Sequence, residues 1–332
     1  MKGLRKVLTP FAPDQSGAVS VLFDLGGLTV ILDAGGCTGN ICGFDEPRWQ
    51  TSRSAIFSAG LRDMDAILGS DDILIKKIER AVESVDAKFI SLVGTPVPAV
   101  IGTDFGGLVK ILERKTGIPA IAVECYGMKW YDKGASDCYL KLFKKFAKDD
   151  VVKDEPVCGV LGAIPLDYGL TDVSELEDKF KGEKFARAVL YGNGASLEDI
   201  KNAGSVAINY VASASGLEAA KYLKERFGTP YEFYNPYADK FFGLHALFVG
   251  DEAAGATARK NNPELTIASF FTIHDEVFSE GDVRLEEEDD FINLVHSGNF
   301  DTVVCDPVLN DLIPDFPGLL IPFPHFAVSG RL

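Results

Sequence analysis

Apolar runs of strand length alternate with amphipathic stretches of helix length along nearly the whole chain. The clearest helix is predicted over 71–85, where apolar residues recur with helical spacing and Asp71 and Asp72 offer N-cap side chains. A second helix, over 99–116, is predicted to end at Gly117. Further helices are predicted over 136–148, 173–181, 196–203, 215–227 and 289–298.

Runs rich in β-branched and aromatic residues predict the strands. The first two, over 19–25 and 28–34, are joined by Gly26-Gly27 and are expected to form a hairpin. The other strands are predicted over 89–96, 118–127, 156–164, 185–192, 205–213, 230–235, 264–271, 301–307 and 319–324, while 244–253 runs from a strand into a helix. Because strands alternate with helices, the chain is expected to form βαβ units with parallel sheets.

The pattern restarts twice along the chain, which indicates three units of similar plan. A charged stretch at 148–156 separates the first unit from the second, and a third cycle begins near Tyr237. The predicted fold class is α/β, with three successive open, parallel-sheet, Rossmann-like domains at 1–154, 155–237 and 238–332. A chain of 332 residues agrees with this division, because it is too long for one ordinary domain.

Composition narrows the range of partners and locations. The formal charge of −16 argues against a nucleic-acid partner, because nothing would neutralise the phosphates. No apolar run is long enough for a membrane span, and the N-terminal segment lacks the apolar core of a secretory signal. Six cysteines in a chain of this length do not make a disulfide scaffold. A cytoplasmic, reducing location is therefore expected.

Residues 35–43 form a glycine-rich stretch that follows a predicted buried strand and carries Cys37 and Cys42. Glycines such as Gly35 and Gly36 let the backbone adopt unusual dihedral angles and approach a bulky group closely. Thiolates are ligands of soft metals and iron–sulfur clusters, so one interpretation is a metal site with both sulfurs directed to a common point. The other interpretation is a pair of small, buried, reduced cysteines.

Other polar residues carry weaker signals. Asp14 and Asp33 are candidate oxygen ligands near that stretch, although an Asp beside a glycine turn usually caps it. His325 follows the last strand, where a parallel sheet places a crevice, and is a candidate proton donor or substrate contact; a packing histidine is the alternative. Aromatic residues at 231–242 either face a flat ligand or pack in the core. The remaining cysteines are predicted to lie in the core: Cys125, Cys138, Cys158 and Cys305.

Several segments of the first two units match, in order and spacing, those of a known family. The segment 56–69 is similar to the stretch before the first long helix of its subunits, and 91–104 is similar to the one that carries a family cysteine before a helix start. The strand 121–128 and the segments 207–210 and 226–236 also match. On these segments the chain is identified as a short, cysteine-poor member of the nitrogenase component 1 type oxidoreductases.

The resemblance implies three open α/β domains, a metal cluster at a subunit interface and an ATP-dependent iron-protein-type reductase that delivers electrons to it. The family places three cysteines of each subunit around that cluster, and Cys37 matches the central one. The other two fall near Phe11 and on Thr95, and the family's cofactor cysteine falls near Ala212. The chain is therefore expected to hold neither an eight-iron cluster nor an iron–molybdenum cofactor by the usual ligand, and not to be a dinitrogen-reducing nitrogenase.

The resulting hypothesis is a 4Fe–4S cluster shared between the subunits of a homodimer, with Cys37 and Cys42 of each as metal ligands and Gly35 and Gly36 beside them. The protein is then expected to be the oxygen-sensitive catalytic component of a two-component ATP-dependent reductase, acting on an unknown small-molecule or tetrapyrrole substrate in a cleft between domains. The alternatives are a non-catalytic scaffold or carrier for metallocluster assembly and a metal-free ligand-binding protein.

Overall fold

Three parallel sheets follow one another along the chain, which confirms the predicted α/β fold class. The structure, a computed structural model, describes residues 5–69, 71–153 and 156–330. The first sheet is built from Leu28–Ile31 (β1), Ala55–Ser58 (β2), Ile90–Val93 (β3) and Ala120–Val123 (β4), in the spatial order β2-β1-β3-β4. The second is built from Val157–Leu161 (β5), Arg187–Tyr191 (β6), Ile208–Val211 (β7) and Tyr231–Phe233 (β8), in the order β6-β5-β7-β8. The third is built from Ala246–Val249 (β9), Thr266–Ser269 (β10), Val283–Arg284 (β11), Thr302–Cys305 (β12) and Leu319–Pro322 (β13), in the order β11-β10-β9-β12-β13.

Helices connect the strands of each sheet. Those of the first unit are Asp14–Leu22 (α1), Gly36–Asn40 (α2), Asp63–Leu68 (α3), Asp71–Ser84 (α4), Pro96–Ile101 (α5), Phe105–Thr116 (α6) and Tyr131–Phe146 (α7). Those of the second unit are Pro165–Tyr168 (α8), Val173–Lys181 (α9), Leu197–Lys201 (α10) and Leu217–Phe227 (α11). Those of the third are Glu252–Asn261 (α12), Glu288–Ser297 (α13) and Phe326–Ser329 (α14). No helix among the described residues is both long and apolar enough to cross a membrane.

The two central strands of the first sheet, β1 and β3, are buried along their whole length. Val30 of β1 lies between Phe57 and Leu92 in the parallel register. Because all the strands run the same way, the segments that follow them meet at one edge of the sheet. That edge therefore collects the residues that come directly after each strand.

Helices α1 and α7 cross at very short range and join the first unit to the other two. A Cβ atom added to Gly17 would lie 1.9 Å from the carbonyl oxygen of Tyr131, and one added to Gly134 would lie 1.8 Å from that of Asp14. Only glycine fits at these two positions. The largest buried apolar cluster surrounds this crossing and includes residues from all three sheets, among them Val93, Val211 and Val303.

The predicted strand over 19–25 and its hairpin with the next strand are wrong. Those residues belong largely to α1, which begins after Pro13 at its N-cap. Every residue of α1 is buried. A helix with no exposed face carries no polar stripe, so its sequence lacks the helical period that distinguishes it from a strand.

The single helix predicted over 99–116 is two helices, α5 and α6. Gly102 adopts a left-handed conformation with φ of 68° and ends the first, while the Asp104 side chain caps the second by accepting from the Gly107 N–H. The predicted end at Gly117 is confirmed, with φ of 70°. The domain bounds at 154 and 237 stay a prediction, and residues 154 and 155 lie outside the described part of the chain.

Candidate functional site

Residues 36–45, which we call the cysteine helix, follow β1 at the carboxyl edge of the first sheet. Gly35 precedes them with φ of 115°, a conformation that favours glycine. Residues 36–40 are α-helical, and Ile41–Asp45 form a π turn closed by a 2.9 Å hydrogen bond from the Glu46 N–H to the Ile41 carbonyl. The stretch predicted as a glycine turn is therefore a short continuous helix. π turns are frequent at functional sites.

Cys37 and Cys42 differ from the other cysteines of the chain in their exposure. All six are free thiols; these two are partly exposed, whereas Cys125, Cys138, Cys158 and Cys305 are buried, as predicted for the core. Burial and the charges of Asp33 and Asp14 raise the pKa of Cys37. Burial and the charges of Glu46 and Asp33 raise the pKa of Cys42. Both thiols therefore keep their protons in the metal-free chain at neutral pH.

Open space surrounds the cysteine helix on its glycine side. A Cβ atom added to Gly35, Gly36, Gly39 or Gly43 would meet no other atom within 4 Å. Phe44, at the end of the same helix, is 76% exposed. These positions leave room for a bulky group or a second protein surface beside the thiols.

The carboxylates expected near the thiols are engaged in local hydrogen bonds. Asp33 accepts from the Thr38 N–H at 2.8 Å and from the Ser58 hydroxyl at 2.6 Å. Asp14 accepts from the N–H groups of Tyr126 at 3.0 Å and Gly127 at 2.8 Å. Both carboxylates thus order the backbone around the cysteine helix, the capping role that was the alternative to metal ligation.

The positions of the missing family cysteines are filled by buried side chains. Thr95 donates its hydroxyl to the Leu32 carbonyl at 2.7 Å. Phe11 packs edge-on against Trp130 and tilted against Phe271. Within the described ranges, no group of three or more His, Cys, Asp or Glu side chains is arranged to hold a metal ion. One chain therefore offers two partly exposed thiols as candidate ligands, half the number of thiolates that a 4Fe–4S cluster takes.

A buried arginine behind the cysteine helix was not predicted from the sequence. The Arg48 guanidinium makes a bidentate pair with Glu46, both distances being 2.8 Å, and reaches Asp24 at 2.7 Å. It also donates to the Gly192 carbonyl at 3.0 Å, while Asp24 accepts from the Gly194 N–H at 3.0 Å. The cluster ties the end of the cysteine helix to the second unit. Because these residues come from three separate segments, no local sequence pattern marks them.

A second candidate site is a cleft between the second and third units, with a cavity of about 570 Å³. Its walls come largely from segments that follow β5, β7, β8, β9 and β13, and parallel sheets place a crevice at these carboxyl ends. Ala212, near which the family's cofactor cysteine falls, lines this cavity, and so does His325. The structure thus places His325 at a cleft, as part of a network of buried polar side chains.

His325 belongs to a three-residue network of long sequence separation. Its Nε2 lies 2.8 Å from the Tyr131 hydroxyl and 3.4 Å from Oδ1 of Asp167. Tyr131 donates to Asp167 Oδ1 at 2.6 Å. Burial and the neighbouring charge of Asp167 raise the pKa of Tyr131 well above its ordinary value, which keeps the proton on the phenol. Asp167 follows β5 closely, and that position at a strand end is the signal by which the sequence could have flagged it.

A second buried carboxyl, Asp251, lines the same cleft at the start of α12. Its side chain accepts from the N–H groups of Ala214 and Ala253, both at 2.8 Å. Burial, together with the charges of Asp167 and Glu252, raises its pKa well above the ordinary range. The cleft thus holds a second carboxyl group, and its surroundings favour the protonated form of Asp251.

The aromatic segment at 231–242 divides between core and cleft. Tyr234 packs on Tyr210 with ring centroids 4.9 Å apart, and Phe242 belongs to the apolar cluster behind the third sheet. Tyr237 lines the cleft, where Glu175 accepts from its hydroxyl at 3.4 Å. The core interpretation therefore holds for Tyr234 and Phe242.

Comparison with known sequences identifies relatives of one kind. The family model described as nitrogenase component 1 type oxidoreductase matches residues 16–246. A nitrogenase iron-molybdenum cofactor biosynthesis protein NifE from Clostridium pasteurianum is 31% identical over 182 residues, 53% of this chain and 38% of the relative. A NifE protein from Methanosarcina barkeri is 23% identical over 243 residues, 69% of this chain and 49% of the relative. The chain thus spans less than half the length of these relatives.

Solved structures share the fold. A structure titled Nitrogenase Cp1 at pH 6.5 matches with a TM-score of 0.73 and 10% identity, covering 100% of this chain and 88% of that one. A second, titled Nitrogenase Cp1 at pH 5, matches with a TM-score of 0.67 and 14% identity, covering 96% and 84%. At such low identity the likeness establishes the three-sheet architecture alone.

Proposed function

Because the chain belongs to the nitrogenase component 1 type oxidoreductase family, we propose that it is a cluster-carrying component of metallocofactor assembly. In this role, Cys37 and Cys42 of two copies hold one 4Fe–4S cluster on the axis of a homodimer. When bound, the cluster supplies electron transfer at low potential. The names of the NifE relatives, which are cofactor biosynthesis proteins, support an assembly role over direct turnover of a substrate.

The observation that carries the proposal is the exposure of two thiols out of six. Cys37 and Cys42 share one short helix and alone among the cysteines reach solvent. Metal ligation requires thiolates, and their raised pKa values mean that cluster binding must release protons. The open space at the neighbouring glycines is compatible with a group of cluster size on that side.

Exposed apolar side chains at the same edge of the first sheet support a dimer. They lie in β2 or in the segments that follow the strands of this sheet, where parallel topology brings them together with the cysteine helix. They are Phe44, Phe57, Met64, Val100, Ile101, Tyr126, Met128 and Trp130. Exposed apolar side chains gathered at one edge favour a protein–protein contact. A second copy is the occupant that would also complete the thiolate set.

The test is anaerobic purification and reconstitution with iron and sulfide, followed by metal analysis and native mass. We expect one 4Fe–4S cluster per dimer, with an EPR signal after reduction. The double variant Cys37→Ser/Cys42→Ser should lose the iron. Cys305→Ser is the matched control, because Cys305 is buried with its Sγ 3.6 Å from Asn310 Oδ1, and its iron content should not change. A chain without iron after reconstitution, or a double variant that retains its iron, contradicts the proposal.

The second candidate function is that of a catalytic component in a two-component ATP-dependent reductase. The buried network of Tyr131, Asp167 and His325 beside the cleft favours it, because it can hold and move a proton next to a bound substrate. Its test is turnover of candidate small-molecule or tetrapyrrole substrates with an iron-protein-type reductase and ATP. Product formation that requires the reductase, ATP and His325 would favour catalysis over carriage; cluster loading without turnover would favour carriage. Reduction of dinitrogen is not expected.

A further inference from the structure

The hydrogen-bond donors that line the cleft are largely used by the protein itself. The Tyr168 hydroxyl donates to the Ala212 carbonyl at 3.1 Å, and the Asn235 amide donates to the Tyr168 oxygen at 2.9 Å. The Ser213 hydroxyl donates to the Gly162 carbonyl at 2.9 Å. The two hydroxyls therefore have no proton left for a ligand, and the Asn235 amide keeps one of its two N–H protons.

The hydrogen-bond acceptors of the same lining are not all paired within the protein. The Asp167 side chain is only 5% exposed, and its Oδ2 atom is buried with no hydrogen-bond partner in the described part of the chain. Leaving a carboxylate oxygen buried and unpaired is costly. Because Asp167 lines the cavity, a donor group placed in the cavity would satisfy this atom.

The direction of the network adds a second acceptor. Tyr131 gives its one proton to Asp167, so Nε2 of His325 must carry a proton and donate to the Tyr131 oxygen. When the imidazole carries a single proton, on Nε2, its lone pair is on Nδ1. Among the hydrogen bonds of the described residues, the His325 ring uses Nε2 alone.

The charged groups that line the cavity also favour a donor with a positive charge. Its lining includes the carboxyl groups of Asp167, Asp172 and Glu175, whereas Lys240 is the one Lys or Arg among the described lining residues. A negative cavity with few donors disfavours anions such as phosphates and carboxylates. The lining also includes the aromatic rings of Tyr168, Tyr237 and Phe323, surfaces that attract organic cations.

We propose that this cleft binds a small organic cation, an amine or amidine whose N–H groups donate to Asp167 and His325 and whose apolar part contacts the aromatic wall. The inference rests on the proposed function only in treating the cleft as a ligand site, and it does not depend on the cluster. A cavity of about 570 Å³ accommodates a molecule of this class. The carboxylate supplies the charge, and the imidazole fixes the orientation of the N–H groups.

The experiment is calorimetric titration of the full-length chain with three probes of one shape: benzylammonium, benzyl alcohol and benzoate. We expect benzylammonium to bind about tenfold or more tightly than benzyl alcohol, which lacks the positive charge. We expect benzoate, whose charge is negative, not to bind. The titration uses the unaltered protein, so it does not depend on whether any variant folds. Equal binding of all three probes, tighter binding of benzoate, or no binding of benzylammonium at millimolar concentration would overturn the proposal.

A variant pair then locates the contact. Asp167→Asn keeps an acceptor for Tyr131 and removes the charge, so benzylammonium affinity should fall about tenfold. Asp172→Asn is the matched control at the mouth of the same cavity, where Asn also caps a helix well, and its affinity should stay within about twofold. Equal losses in both variants would overturn the assignment to Asp167. Iron content, measured on the same samples, tests the cluster separately. Protein that holds iron but does not bind benzylammonium contradicts only the proposal for the cleft. Protein that binds benzylammonium but holds no iron contradicts only the proposal for the cluster.

Discussion

The cysteine helix and the cleft both lie at the carboxyl ends of parallel strands, yet one chain supplies very different fractions of each site. The cysteine helix offers two partly exposed thiols, open space and neighbouring carboxylates that are already hydrogen-bonded. The cleft offers a closed network whose members come from three distant segments of the same chain. A position at a strand end therefore does not decide whether a site is complete. In our proposals, a second copy completes the first site, whereas a ligand occupies the second.

The largest effect is expected at the arginine behind the cysteine helix. Replacing Arg48 by Met leaves Glu46 buried without its partner, and the free energy of unfolding should fall by about 3–5 kcal/mol. Urea denaturation measures the change. Arg53→Met is the control, since Arg53 is exposed. If Arg48→Met is as stable as its control, the Arg48 cluster does not stabilise the cysteine helix. The two sites would then differ in rigidity as well as in the fraction that one chain supplies.

Two glycine substitutions sharpen the contrast in packing. Gly134→Ala places a Cβ against the backbone of α1, and we expect it to lower stability by about 3 kcal/mol. Gly39→Ala adds a Cβ where no atom lies within 4 Å, inside a helix, and should raise the stability of the cluster-free chain by about 0.5–1 kcal/mol. Thermal unfolding of both variants tests the prediction. Opposite signs are required; a destabilising Gly39→Ala would mean that the open side of the cysteine helix is already packed.

A smaller loss is expected in the cleft. Tyr131→Phe removes both hydrogen bonds by which its hydroxyl joins Asp167 to His325, which should cost about 2 kcal/mol in urea denaturation. Tyr126→Phe, at a ring that is 41% exposed, should change the stability little. No difference between the two variants would mean that the network is not complete within one chain.

The smallest effect concerns the reactivity of the thiols. Iodoacetamide should label Cys37 and Cys42 in the folded, cluster-free chain and leave the four buried cysteines unmodified. The rates should rise with pH, because the thiolate fraction grows until pH passes the raised pKa values of the two thiols. Asp33→Asn removes a negative charge, lowers the pKa of Cys37 and should speed its alkylation about threefold, half a pKa unit. Cys42 should respond less, because Glu46 contributes more to its pKa. Mass spectrometry of tryptic peptides resolves the two rates, and equal acceleration would contradict this assignment.

Most of the sheet architecture could be predicted from the sequence, because each buried strand is a short apolar run between turn residues. The helix over 173–181 is predicted with its observed bounds. The failures have identifiable causes. Helix α1 is buried on all sides and shows no polar stripe, and the edge strand β2 is short and partly exposed, so neither has the period of its type.

The candidate sites were predictable only where the signal is local. Cys37 and Cys42 stand five positions apart in a glycine-rich stretch, and His325 follows a strand; both features can be read directly from the sequence. The partners of His325 cannot, because Tyr131 precedes it by 194 residues and Asp167 follows Tyr131 by only 36. Burial decides which thiols reach solvent, and it depends on packing between distant helices.

The crossing of α1 and α7 has a consequence for finding homologues. A Cβ atom added to either glycine would lie under 2 Å from a main-chain carbonyl oxygen of the opposite helix. We therefore expect a homologue either to keep both glycines or to replace both. A homologue with Ala or Ser in either column has to spread the helices and reshape the junction of the three units. Glycine at both Gly17 and Gly134 is thus a two-column signature that separates homologues with this junction from those that share only the order of strands.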